Sequence, residues 1–162
     1  MFLFSLYNEI KKDKSMVKVL FVCVHNSARS QMAMTFLNDY GKELFIAESA
    51  GLEKGTLNPY VITSMAELGY DISNNETNEV FDYFKQGRTY SFVVKVCDEM
   101  SGQRCPIFPG ALHEEYWNLP DPASFKGTEE EILTQVNHIR DEISKRVHAF
   151  IKTHEAFALS RK

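Results

Sequence analysis

Cys23 and Arg29 are separated by five residues in Cys23-Val24-His25-Asn26-Ser27-Ala28-Arg29. A nucleophile and a fixed cation thus close the two ends of one short loop. The loop follows the apolar run 17–22 and leads into a helical pattern, so its backbone N–H groups are expected to converge at a helix N-terminus, where partial positive charge favours a tetrahedral oxyanion. The guanidinium of Arg29 adds two parallel donors. The field that favours the anion also favours thiolate at Cys23, against an ordinary thiol pKa near ~8.5. Asn26 and Ser27 can hold an unusual loop backbone through side-chain hydrogen bonds, and Val24, His25, Ala28 and Ser30 complete the expected cradle. A cysteine after a strand is more often a small core hydrophobe. The strand-to-helix junction is what favours an anion loop here.

The elements that must position this loop are readable from hydrophobic period. Met32, Phe36, Leu37 and Tyr40 line one face of a helix that Gly41 ends. Asn58-Pro59 supplies a cap and a first-turn proline for a helix striped by Ile62, Met65 and Leu68 and ended by Gly69. A weaker helical pattern covers 79–86. Thr128 with Glu131 forms a capping box, and Ile132, Val136, Ile139, Ile143, Val147 and Phe150 keep helical spacing behind it. Short β-rich runs at 17–22, 45–49, 91–96 and 114–117 alternate with these helices. The pattern predicts an α/β domain of three layers, a four-stranded parallel sheet with helices on both faces and chemistry at the carboxyl ends of the strands. Cys23, Cys97 and the residues after Trp117 all follow strand ends.

A chain of 162 residues needs no second domain to bury a core. Its net charge of −4 offers no basic face for nucleic acid. Residues 1–15 begin with Phe2, Leu3, Phe4 and Leu6 and turn Lys-rich by residue 11, the wrong order for a signal peptide, and no run is long enough to span a bilayer. The expected organisation is an extension at 1–15, disordered or helical, a domain at 16–155 and a tail at 156–162, in a cytoplasmic protein with no membrane partner.

The loop and its surroundings resemble the low-molecular-weight tyrosine phosphatase superfamily and, within it, the thioredoxin-coupled arsenate reductases. The resemblance continues through Arg29-Ser30-Gln31-Met32-Ala33, Glu48-Ser49-Ala50-Gly51-Leu52, Leu57-Asn58-Pro59, Asp71-Ile72-Ser73-Asn74, Val96-Cys97 to Cys105-Pro106, Trp117, Asp121-Pro122-Ala123 and Gly127-Thr128-Glu129-Glu130-Glu131. It runs in order over residues 17–150.

Read alone, the other two of the three cysteines admit bland explanations: Cys97 as packed core and Cys105 as an incidental surface thiol. A structural disulfide framework does not suit the expected compartment, and the spacing does not suit zinc, so no metal is expected. The resemblance implies more. Reduction of arsenate to arsenite takes two electrons, which two thiols supply by becoming a disulfide. Cys23 would attack arsenate, Cys97 would attack Cys23 and expel arsenite, and Cys105 would attack Cys97. The resulting Cys97–Cys105 disulfide would be reduced by an external dithiol such as thioredoxin, with no bound cofactor. Asp121, before Pro122, matches the family's general acid; as a bare sequence feature it is a turn residue, and rigidity serves both roles. A monomer is expected, since the redox segment needs a free face.

Three departures stand out. Ala28 occupies the place of a second loop cysteine, His25 that of a usual glycine, and Met34 that of a glutamate that assists cation binding in some relatives. His25 either points to solvent or adds cationic character at the mouth below its pKa. Phosphate and sulfate are near-isosteric competitors of arsenate, so the loop also suits a low-molecular-weight tyrosine phosphatase using Cys23, Arg29 and Asp121. Asp121-Pro122-Ala123-Ser124, where such phosphatases resemble Asp-Pro-Tyr, and the extra cysteines speak against it. A non-catalytic thiol sensor would leave the acid and arginine idle.

Overall fold

In the computed structural model of the protein, which describes residues 2–98, 108–109 and 111–162, alternation along the first strand sorts the core into two layers. Within β1 (Val17–Cys23), Val17, Val19 and Phe21 enter one apolar cluster, and Leu20 and Val22 enter another. A strand covered on both faces lies at the centre of a sheet. β1 does so: with β2 (Phe45–Gly51), β3 (Tyr90–Cys97) and β4 (Ala111–Asn118) it forms a sheet of order β2-β1-β3-β4 in which every neighbouring pair is parallel.

The larger cluster packs α2 (Arg29–Tyr40), α3 (Pro59–Ala66) and α5 (Glu129–Ser160) on one face. On the other, α4 (Val80–Lys85) contributes Val80 and Tyr83, beside Phe108. This is the three-layer α/β arrangement expected from the sequence. α1 (Phe2–Ser15) forms the amino-terminal extension, with Phe2, Leu3 and Phe4 exposed.

Local chemistry sets the element ends. Asn58 accepts from the Tyr60 amide at 2.9 Å and Pro59 opens α3. Helical hydrogen bonding ends at Ala66, short of the glycine stop, and Gly69 finishes the turn at φ +88°. Thr128 accepts from the Glu131 amide and donates to its carboxylate, a closed capping box. α5 then continues past the Phe150 stripe to Ser160, because His154 bonds Glu115 at 2.6 Å, Phe157 packs edge-on against Phe92 and Ala158 is buried. The boundary expected at 155/156 thus falls inside a helix. β4 is longer than its apolar core suggests and lies at the sheet edge, with Leu112 and Tyr116 exposed and Trp117 packed on Phe21. No described helix is long and apolar enough to cross a membrane.

Candidate active site

The sheet delivers Cys23 at the carboxyl end of its central strand, and the chain must turn at once to enter α2. Asn26 makes that turn at φ +55°, a conformation that asparagine tolerates better than most residues. It is fully buried and fixed by its own side chain: Nδ2 donates to Ser30 Oγ at 2.8 Å, and Oδ1 accepts from the Asn78 amide at 2.9 Å. Gln31 donates to the Asn26 carbonyl and to the Glu76 carbonyl, both at 3.0 Å, and accepts from Asn75 Nδ2. Ser30 Oγ also lies 2.9 Å from Cys23 Sγ.

The orientation of the loop follows from where its carbonyls go. Those of Cys23, Val24, His25 and Ser27 accept from the amides of Leu52, Glu53, Gly55 and Asn58 at 3.0–3.1 Å. With the carbonyls turned to that segment, the loop amides are left to face the other way. Among the described residues, those of Val24 to Ala28 donate to no backbone carbonyl. Ala28 gives α2 no side-chain cap, and amides at a helix N-terminus point along its axis to where an anion can accept from them. The approach of the two segments is very close. A Cβ at Gly51 would stand 2.7 Å from the Asn26 nitrogen, and one at Gly55 would stand 2.8 Å from His25 Cβ.

Arg29 is 2% exposed; its Nη1 donates to the Leu119 carbonyl at 3.1 Å and its Nη2 lies 3.3 Å from Asp121 Oδ2. Asp121 uses its two oxygens differently. Oδ1 accepts from the Ala123 amide at 3.0 Å and caps the short 3₁₀ turn Pro122–Ser124, while Oδ2 faces the guanidinium. His25 is half exposed, its Nδ1 3.6 Å from Glu53.

Cys97 ends β3, the strand beside β1, and is buried. Leu119 ties it to the loop: the Leu119 amide donates to the Cys97 carbonyl at 3.1 Å, and the Leu119 carbonyl receives Arg29. Cys23 is a free thiol, whereas Cys97 is disulfide-bonded. Cys105 lies outside the described residues. Among the described residues, no group of three or more metal-ligating side chains is gathered.

Thus Cys23 and Arg29 stand at the two ends of the loop Val24, His25, Asn26, Ser27 and Ala28, with Ser30 bonded to Cys23, Arg29 meets Asp121, and Cys97 ends the adjacent strand. Sequence reasoning missed the supports: Gln31, Asn75, Glu76, Asn78 and the Leu119 backbone. One signal was available. Gln31 is a polar residue beside Met32 on the buried side of α2, and a buried amide must find partners.

Residues 18–158 match the family described as low molecular weight phosphotyrosine protein phosphatase. An arsenate reductase of Shouchella clausii is 35% identical over 85% of this chain and 96% of its own. A solved arsenate reductase in the phosphate binding state is 30% identical, with a TM-score of 0.70 over 85% of this chain and 98% of that one. A thioredoxin-dependent arsenate reductase of Corynebacterium glutamicum is 27% identical, with a TM-score of 0.56 over 87% of this chain and 66% of that one. With a cysteine–arginine loop after the first strand and Asp121 after the fourth, the chain belongs to the low molecular weight phosphotyrosine protein phosphatase family.

Proposed function

We propose that this protein reduces arsenate to arsenite through a relay of Cys23, Cys97 and Cys105 and is returned to its dithiol state by thioredoxin. The observation that carries the reading is the pair of sulfurs at the carboxyl ends of adjacent parallel strands: Cys23 a free thiol in an oxyanion loop, Cys97 already disulfide-bonded. A phosphatase needs the first and has no use for the second. The similarity to named arsenate reductases, one of them thioredoxin-dependent, supports the same choice.

Arsenate enters the loop and draws Arg29 and the loop amides onto its oxygens, where donors fixed in advance stabilise developing charge. The Cys23 sulfur bonds to arsenic, and Asp121 protonates the departing oxygen, which leaves as water. Cys97 attacks the Cys23 sulfur; the S–As electron pair goes to arsenic, and As(III) leaves as arsenite. Cys105 attacks Cys97 and releases Cys23. Thioredoxin then supplies two electrons to the Cys97–Cys105 disulfide. Alternation along the strands adds one requirement. Cys23 continues the face of Phe21 and Cys97 continues that of Val93, so Cys97 must leave its ladder position to reach Cys23.

The test is arsenate-dependent NADPH oxidation with thioredoxin and its reductase, comparing the wild type with Cys105→Ser. Sustained turnover that falls to at most one equivalent of arsenite in the variant is the expected result. No NADPH oxidation, with aryl phosphate hydrolysis intact, would make the protein a phosphatase. A single oxidation without turnover in the wild type would make it a thiol sensor.

A further inference from the structure

Lysine is among the residues least expected on the covered face of a sheet, yet Lys95 of β3 is 4% exposed. Its neighbours towards β1 are apolar, Leu20 and Val22, with Val22 directly paired to it. Towards β4 its Nζ donates to Tyr116 Oη at 3.3 Å, lies 3.3 Å from Glu114 Oε1 and stands 5.2 Å from the centre of the Tyr116 ring. Its counter-charge is partly exposed, the Glu114 side chain being 39% accessible. Covering an ammonium is costly, and an apolar side chain would pack this position at no such cost. The charge therefore has another task. Residues two apart on a strand present their side chains to the same face, about 6.6 Å apart along it. The next side chain on this face after Lys95 is Cys97.

We propose that Lys95 is a positioning residue for the second thiol step, its covered ammonium holding reduced Cys97 as the thiolate. The inference rests on the reductase reading above. In that relay Cys97 must attack the Cys23 sulfur, forming the S–S bond as arsenic departs with the S–As electron pair, and the thiolate is the form that attacks. Two-electron reduction of the Cys97–Cys105 disulfide by an external dithiol again returns Cys97 with negative charge. The groups around this face are Glu114 and Tyr116 of β4, Tyr83 of α4 with Arg88 stacked on its ring, Glu48 of β2 bonded to Arg88 and Tyr90, and buried Asp98 next along the chain; β1 contributes apolar Leu20 and Val22 beside Lys95, with exposed Lys18 at its far end. Glu114 and Asp98 oppose a thiolate, and Lys95 is the cation on the Cys97 face of its own strand.

In a Cys23→Ser/Cys105→Ser chain, Cys97 is the sole thiol, and its alkylation rate by iodoacetamide against pH gives its ionisation midpoint. Lys95→Met is expected to raise that midpoint by about one unit, Lys95→Arg to restore it, and Glu114→Gln to lower it. Glu114 is partly exposed, so its variant decides the matter even where the buried methionine disturbs packing. An unmoved midpoint in Glu114→Gln, or in a folded Lys95→Met, overturns the proposal. In the otherwise wild-type chain, Lys95→Met should slow arsenate turnover about tenfold at pH 7, with the loss fading at higher pH as Cys97 ionises unaided. If the wild type reduces no arsenate, the reductase reading fails while the thiol titration still reports on Lys95. If the wild type turns over and the titration is flat, only Lys95 loses its role.

Discussion

The strands that end at Cys23 and Cys97 are both interior to the sheet but differ in what lies beside them: β1 adjoins the largely buried edge strand β2, and β3 the largely exposed edge strand β4. β1 is central, and apart from Lys18 it is buried throughout; the loop beyond it is tied to residues 52–58, to the 75–78 segment and to its own helix. β3 is buried too, but its outer neighbour β4 is an edge strand whose side chains mostly face solvent. The difference suits the two tasks proposed for these sulfurs. Stabilising charge on an oxyanion needs donors fixed before the charge develops. Passing an oxidation onward needs a sulfur that can change partners. Both sulfurs are buried, and the bracing hydrogen bonds described gather around the loop of the first.

Breaking the braced side should cost most. Arg29→Lys loses the planar fork that serves Leu119 and Asp121, and kcat/KM for arsenate should drop about a thousandfold, roughly 4 kcal/mol of transition-state stabilisation. Asp121→Asn keeps an oxygen for the Ala123 amide but has no proton to give the departing oxygen. Its kcat should fall about a hundredfold, with the fold retained by circular dichroism. Gly51→Ala forces a methyl against the Asn26 nitrogen, which should cost about 2 kcal/mol in urea unfolding and weaken phosphate competition in the same step. The edge offers the contrast. Leu112→Glu, at an exposed position, should change stability by less than about 0.5 kcal/mol and leave turnover alone.

The smallest effect lies in the bracing segment. The Ser73 hydroxyl and amide both donate to the Asp71 carboxylate and hold its pKa below the ordinary value. A depressed carboxylate contributes stability that is present above its unfolded pKa and is lost as pH falls through its folded value. Ser73→Ala should raise the Asp71 midpoint followed by NMR, and its difference from the wild type should vanish in acid. A midpoint that does not move would show that Ser73 does not set the ionisation of Asp71.

Sequence reached the elements whose signals are local. The apolar β-rich run 17–22, the Asn58-Pro59 start and the Thr128/Glu131 box depend on neighbours a few residues away, and each is found in the structure. The cysteine–arginine spacing was legible for the same reason. β4 was harder, because an edge strand carrying Glu114 and Glu115 lacks a continuous apolar run. The end of α5 depends on His154 and Phe157 meeting a strand far away in the chain. Gln31, Asn75, Glu76 and Asn78 were hidden because a buried polar network is defined by partners, not by residue types.

The wall formed by residues 52–58 holds the loop chiefly through backbone amides, with the Glu53 carboxylate adding a half-exposed contact 3.6 Å from His25 Nδ1. Such a wall constrains evolution unusually: Leu52, Glu53 and Lys54 are exposed and their side chains can drift. Proline, however, has no N–H to give. It is thus barred from positions 52, 53, 55 and 58 in any descendant that keeps the cradle, while almost any other residue is open to the first two.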